Sequence, residues 1–92
     1  MAQVIVTLKI MPESLEADLG NIKSKAKAKI IDFSQSKEIK TELEPIAFGL
    51  KALKIIFVMD ESKGSTESLE QDIKTISGVN SVEAVDVRRA IG

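Results

Sequence analysis

The run from Leu50 to Met59 constrains the fold more than any other part of the chain. Leu53, Ile55, Phe57 and Met59 alternate there with Ala52, Lys54, Ile56 and Val58, so a strand would carry apolar side chains on both faces. Such a strand belongs in the middle of a sheet. Val4, Val6, Leu8 and Ile10 alternate with Ile5, Thr7, Lys9 and Met11 and form a second apolar strand, which Pro12 ends. Two further runs are heavily charged. Lys37 to Leu43 aligns Ile39, Thr41 and Leu43 on one face among Lys37, Glu38, Lys40, Glu42 and Glu44, with Pro45 just beyond. Val79 to Val87 sets Val85 and Val87 on one face and Val82 and Ala84 on the other, next to Asp86, Arg88 and Arg89. Charge and a terminal proline are how edge strands avoid pairing with other chains, so these two runs belong at the rims.

Two helical stripes separate the strands. Leu15, Leu19, Ile22, Ala26 and Ile30 recur at helical spacing, with Ser14 or Asp18 as the cap and Glu16 near the positive end of the dipole. Gly20 weakens this helix by about 1 kcal/mol relative to alanine. Lys23, Lys25, Lys27 and Lys29 point in several directions around it and read as a solvated face rather than a phosphate site. The second stripe is Leu69, Ile73 and Ile76, with Thr66 as cap, Glu67 and Glu70 in the first turns and Gly78 as the stop. One apolar stripe per helix places both helices on one face of one sheet. The predicted fold is α+β: a ferredoxin-like βαββαβ sandwich with a four-stranded antiparallel sheet in the order 4-1-3-2. Residues 1–92 are expected to form one domain.

The chain has no Cys and no His, which removes disulfides, thiolate chemistry, the commonest metal ligands and the commonest general base. A net charge of −1 gives no electrostatic case for nucleic acid or an anionic membrane. Neither phosphate-cradling glycine motif occurs, and the carboxylates are scattered. The spacing at Asp60 to Ser65 faintly suggests a calcium loop, but the glycine and the closing glutamate are misplaced, so it reads better as the lead-in to the second helix. The longest apolar run is too short to span a bilayer, and the start of the chain lacks the basic segment of a secretory signal. The open sheet face would carry Ile5, Thr7, Lys9, Ala52, Lys54, Ile56 and Val58, with no ring on which a base could stack. A binding protein without cofactor, metal or covalent chemistry is expected. A small-molecule-sensing or scaffolding domain of the same fold leaves little trace in a sequence and stands as the alternative.

The candidate binding element is Glu44 to Leu50, where Pro45 and Gly49 bracket Phe48, one of three aromatic residues. A bulky apolar side chain at such a hairpin tip folds back as a plug on the core or projects as an anchor for a partner. The local pattern favours the plug, since large apolar residues are mostly buried. The stretch from Glu44 to Lys54, EPIAFGLKALK, resembles the P-[IV]-[GA]-[FY]-G-[LI]-K-x-L segment of translation elongation factor 1-beta, the guanine-nucleotide exchange factor family for elongation factor 1-alpha. Gly78 to Arg89 is similar to the C-terminus of archaeal members, and Ile10 to Ser14 to their beginning. The resemblance implies a cytoplasmic protein that binds elongation factor 1-alpha through Phe48 and its neighbours Ala47 and Gly49. It also implies a basic residue near the C-terminus that reaches the partner's magnesium and phosphate region: Arg89, with Arg88 as second choice, in place of the family's lysine. Without the resemblance, Arg88 and Arg89 read as a frayed, solvated tail.

Overall fold

A computed structural model describes residues 2–36 and 38–90. The strands are β1 (Gln3–Pro12), β2 (Ile39–Pro45), β3 (Lys51–Asp60) and β4 (Val79–Arg89); the helices are α1 (Leu19–Ser34) and α2 (Glu67–Lys74). The sheet runs β2-β3-β1-β4 with every neighbouring pair antiparallel, which is the order expected from the apolar and charged strands. Lys37, where the second strand was expected to begin, lies outside the described residues.

The strand alternation decides the layers. Val6, Leu8 and Ile10 of β1 and Leu53, Ile55, Phe57 and Met59 of β3 face the helices and are buried. Ile22, Ala26 and Ile30 of α1 and Leu69 and Ile73 of α2 close over them. A fully buried isoleucine contributes about 1.5–3 kcal/mol, more than the few tenths at stake in like-charge pairs along a solvated helix. That margin lets α1 dock despite its lysines. Lys29 is additionally tied to α2, its Nζ donating to Asp72 Oδ1 at 3.0 Å.

Several expectations at element ends are corrected. α1 begins at Leu19, because the Asp18 carboxylate accepts from the backbone N–H of Asn21 at 3.1 Å. Leu15 and Glu16 therefore lie in the preceding turn, and Leu15 is 67% exposed instead of completing the buried stripe. At α2 the Thr66 side chain makes no cap; its hydroxyl donates to Glu70, and Ser65 Oγ accepts from the N–H of Glu67. That helix ends at Lys74, and Gly78, at φ +94°, serves the following turn, where the N–H of Val79 donates to the carbonyl of Ile76. The turn after β3 uses the Asp60 carboxylate to accept from the N–H of Ser62 at 2.8 Å, so that carboxylate terminates a strand.

The face assignment in β4 also changes. Thr7 pairs with Asp86 but Leu8 pairs with Ala84, which leaves Val85 as an extra, bulged residue. The bulge resets the alternation. Val87, opposite Val6, joins Val82 and Ala84 on the helix side, and the bulged Val85 has no partner in the ladder. Arg88, opposite Ile5, falls on the open face, and Arg89, opposite Val4, on the helix side.

Candidate functional site

The β2–β3 connection is a tight tip. Pro45 still pairs with Lys51, then the N–H of Ile46 donates to the carbonyl of Leu50 at 2.7 Å. The N–H of Leu50 donates back to the carbonyl of Ala47 at 3.3 Å. Closing the loop in so few residues forces two successive left-handed conformations, Phe48 at φ +61° and Gly49 at φ +79°. Glycine adopts that region freely; a bulky residue does so at a cost of about 1–2 kcal/mol. The strain aims the ring outward. Ala47, Phe48 and Gly49 are all exposed, and Phe48 is 92% exposed. The plug expected from the local pattern is not formed, since the strand register already fills the core with Leu53 and its neighbours.

The two arginines sit elsewhere. Both belong to β4 and pair with the start of β1, and the N–H of Ala90 donates to the carbonyl of Gln3 at 2.8 Å, so Arg88 and Arg89 lie in a strand and not in a frayed tail. Arg88 Nε lies 2.8 Å from Asp86 Oδ2 on the open face. Arg89 Nη2 donates to Glu61 Oε1 at 2.8 Å across the end of the sheet. Both guanidinium groups stay mostly exposed, and pairs of this kind contribute at most about 1 kcal/mol, so either arginine can exchange its carboxylate for another anion.

The structure does not bring Phe48 and the arginines together. Arg89 stands opposite Val4 and the hairpin tip lies beyond Pro12, so eight residues of β1, about 26 Å at strand rise, separate the two ends. The molecule is 42 Å along its longest axis. Phe48 and Arg89 are therefore two poles of one rigid body rather than one constellation.

Between them the open face carries no ring, because Phe33 and Phe57 pack into the helix side and Phe48 is at the tip. Its centre is an ion cluster: Glu44 Oε2 lies 3.5 Å from Lys54 Nζ and 3.7 Å from Lys9 Nζ, longer than hydrogen bonds. Among the described residues there is no group of three acidic side chains able to hold a metal ion, and no helix is long and apolar enough to cross a membrane.

One residue at the tip was missed in the sequence. Leu15 leans over Gly49, its Cδ2 lying 3.4 Å from where a Cβ at Gly49 would stand. The signal was present in the two candidate caps, since choosing Asp18 over Ser14 releases Leu15 from the helix.

Residues 5–90 match the family described as the EF-1 guanine nucleotide exchange domain. The chain is 44% identical over 89 residues to a protein named elongation factor 1-beta from Methanobrevibacter smithii, covering 97% of this chain and 98% of that one. It is 43% identical over 91 residues to elongation factor 1-beta from Staphylothermus marinus, with the same coverage of 97% and 98%. Among solved structures it is similar to the chain titled BlrP1 BLUF, at a TM-score of 0.57 and 15% identity, over 98% of this chain and 56% of that one. The last likeness concerns the fold alone.

Proposed function

The chain belongs to the EF-1 guanine nucleotide exchange domain family, and from that premise we propose that it binds elongation factor 1-alpha and speeds the release of GDP from it. The family carries a guanine-nucleotide exchange role in translation elongation, which makes and breaks no covalent bond in this chain. The physics is linkage. A factor that prefers the nucleotide-free GTPase weakens nucleotide binding by the same factor by which nucleotide weakens its own. Tight nucleotide binding in such GTPases relies on a phosphate cradle and a bridging magnesium ion, so disturbing either speeds release.

In this reading residues 1–92 act as one module in the cytoplasm, and the two poles have separate tasks. Phe48, presented with Ala47 and Gly49, enters an apolar recess of the partner and supplies binding energy. Arg89, with Arg88 as the second candidate, reaches toward the magnesium and phosphates and supplies charge. An arginine in place of the family's lysine keeps the cation but presents a larger planar fork, suited to a phosphate or carboxylate. The observation that carries the reading is the Phe48 ring, 92% exposed on a backbone held at φ +61°. Strain and exposure together on a large aromatic side chain are explained by a contact made outside the monomer.

The test is release of a fluorescent GDP analogue from elongation factor 1-alpha with and without this protein. Concentration-dependent acceleration is the expected result. No acceleration at saturating protein would return the chain to the small-molecule-sensing or scaffolding reading.

A further inference from the structure

From the hairpin pole we infer that Leu15 is the second anchor of the docking tip, and that the tip fits an apolar recess with a cationic rim on the same GTPase. The inference rests on the exchange reading above. Single exposed apolar residues are ordinary on a protein surface, but here two large ones from distant segments are presented at the same tip, Leu15 over the neighbour of Phe48. Leu15 is 67% exposed and Phe48 is 92% exposed. The Leu15 side chain lies over Gly49, the residue next to Phe48. The turn that presents Leu15 is ordered by its own bonds, with Ser14 Oγ accepting from the N–H of Glu16 at 3.2 Å and the Ser14 carbonyl accepting from the N–H of Ala17 at 3.3 Å. A cleft of about 240 Å³ runs beside the pair, floored by Pro12, Leu19 and Leu50.

The charges around this tip give the partner's chemistry. Glu13, Glu16 and Asp18 are all exposed in the turn that carries Leu15, and Lys51 is the cation beside them. An apolar centre with a mainly acidic rim is complemented by an apolar recess whose rim is basic. At the opposite pole each arginine is paired with a carboxylate, Arg88 with Asp86 and Arg89 with Glu61.

The experiment measures GDP release from elongation factor 1-alpha against concentration of the full chain, for the wild type and for Leu15→Ala, Leu15→Glu, Glu16→Lys and Phe48→Ala, each with its thermal melt and its sedimentation profile. Leu15→Ala is expected to raise the half-maximal concentration about 5-fold and Leu15→Glu at least about 10-fold, with the plateau rate and the melting temperature unchanged. The Leu15→Ala/Phe48→Ala pair is expected to lose less than the product of the single effects, because the two side chains share one recess. Added salt should weaken the wild type more than Glu16→Lys. Wild-type half-maximal concentrations for both Leu15 variants, with Phe48→Ala impaired, would overturn the inference and leave the exchange reading intact. If Phe48→Ala is also silent while the wild type accelerates release, the docking tip is overturned and the exchange reading stands; no acceleration by the wild type would overturn both. Loss of self-association in the Leu15 variants without any change in exchange would make a second copy of this chain the occupant and would equally overturn the inference.

Discussion

Replacing Phe48 should separate stability from function in opposite directions. The residue sits at φ +61° and ψ +29°, where asparagine is tolerated far better than phenylalanine, and its ring is 92% exposed, so little packing is lost with it. Phe48→Asn relieves about 0.5–1 kcal/mol of backbone strain without the unfolded-state entropy that glycine would add. For a domain of this size that is a rise of about 2–8 °C in melting temperature. Phe48→Ala keeps the strain and should melt close to the wild type. A large aromatic anchor at the centre of an interface is worth about 2–3 kcal/mol when truncated, which is about 30- to 150-fold in affinity. Both variants should therefore raise the concentration needed for half-maximal GDP release by about that factor. Calorimetric melts and stopped-flow release of fluorescent GDP read the two effects on the same samples. A fall in melting temperature for Phe48→Asn would refute the account of the tip. An unchanged half-maximal concentration in a folded variant would remove Phe48 from the interface.

Three further perturbations have defined outcomes. Gly49→Ala places a Cβ at φ +79° and 3.4 Å from Leu15 Cδ2, and should cost about 1–2 kcal/mol in a denaturant titration while weakening exchange by displacing the tip. Arg89→Ala should slow GDP release with little change in melting temperature, since its pair with Glu61 is exposed, and the defect should grow with magnesium concentration. The same substitution at Arg88, which stands on the open face, should do less. The backbone hydrogen bond from Ser62, followed by that residue's side-chain contact, lowers the Asp60 carboxyl below its ordinary value. A depressed folded-state value means the contribution is present at neutral pH and lost as pH falls through that lowered value, so wild type and Asp60→Asn should converge in stability there in acid denaturation.

The strands, their order and the helix side were legible because each rests on a period that the sheet must obey. Leu53 to Met59 and Val6 to Ile10 are apolar wherever the register turns them inward. The failures fall where a single local event overrides the period. The stripe through Leu15, Leu19 and Ile22 continues past the true start of α1, because spacing is blind to which oxygen caps the helix; Asp18 does so. In β4 the bulge at Val85 inserts one residue and reverses every face after it, moving Val87 to the helix side and putting Arg88 rather than Arg89 on the open face. Phe48 was legible as a candidate but its direction was not. Hydrophobicity alone favours burial, and only the left-handed backbone, set by closing the hairpin between Pro45 and Lys51, turns the ring outward. The distance between the two poles was likewise hidden until the register was fixed, since the arginines pair with the far end of β1.

The division of labour between the poles is tested most directly by titrating elongation factor 1-alpha loaded with fluorescent GDP against Phe48→Ala and Arg89→Ala in parallel. A residue that contributes equally before and during nucleotide release moves the half-maximal concentration, and one that acts only as the nucleotide leaves moves the plateau rate. The expected result is a shifted midpoint with a wild-type plateau for Phe48→Ala, and a lowered plateau with a near-wild-type midpoint for Arg89→Ala. Both variants altering the same parameter in the same way would contradict it.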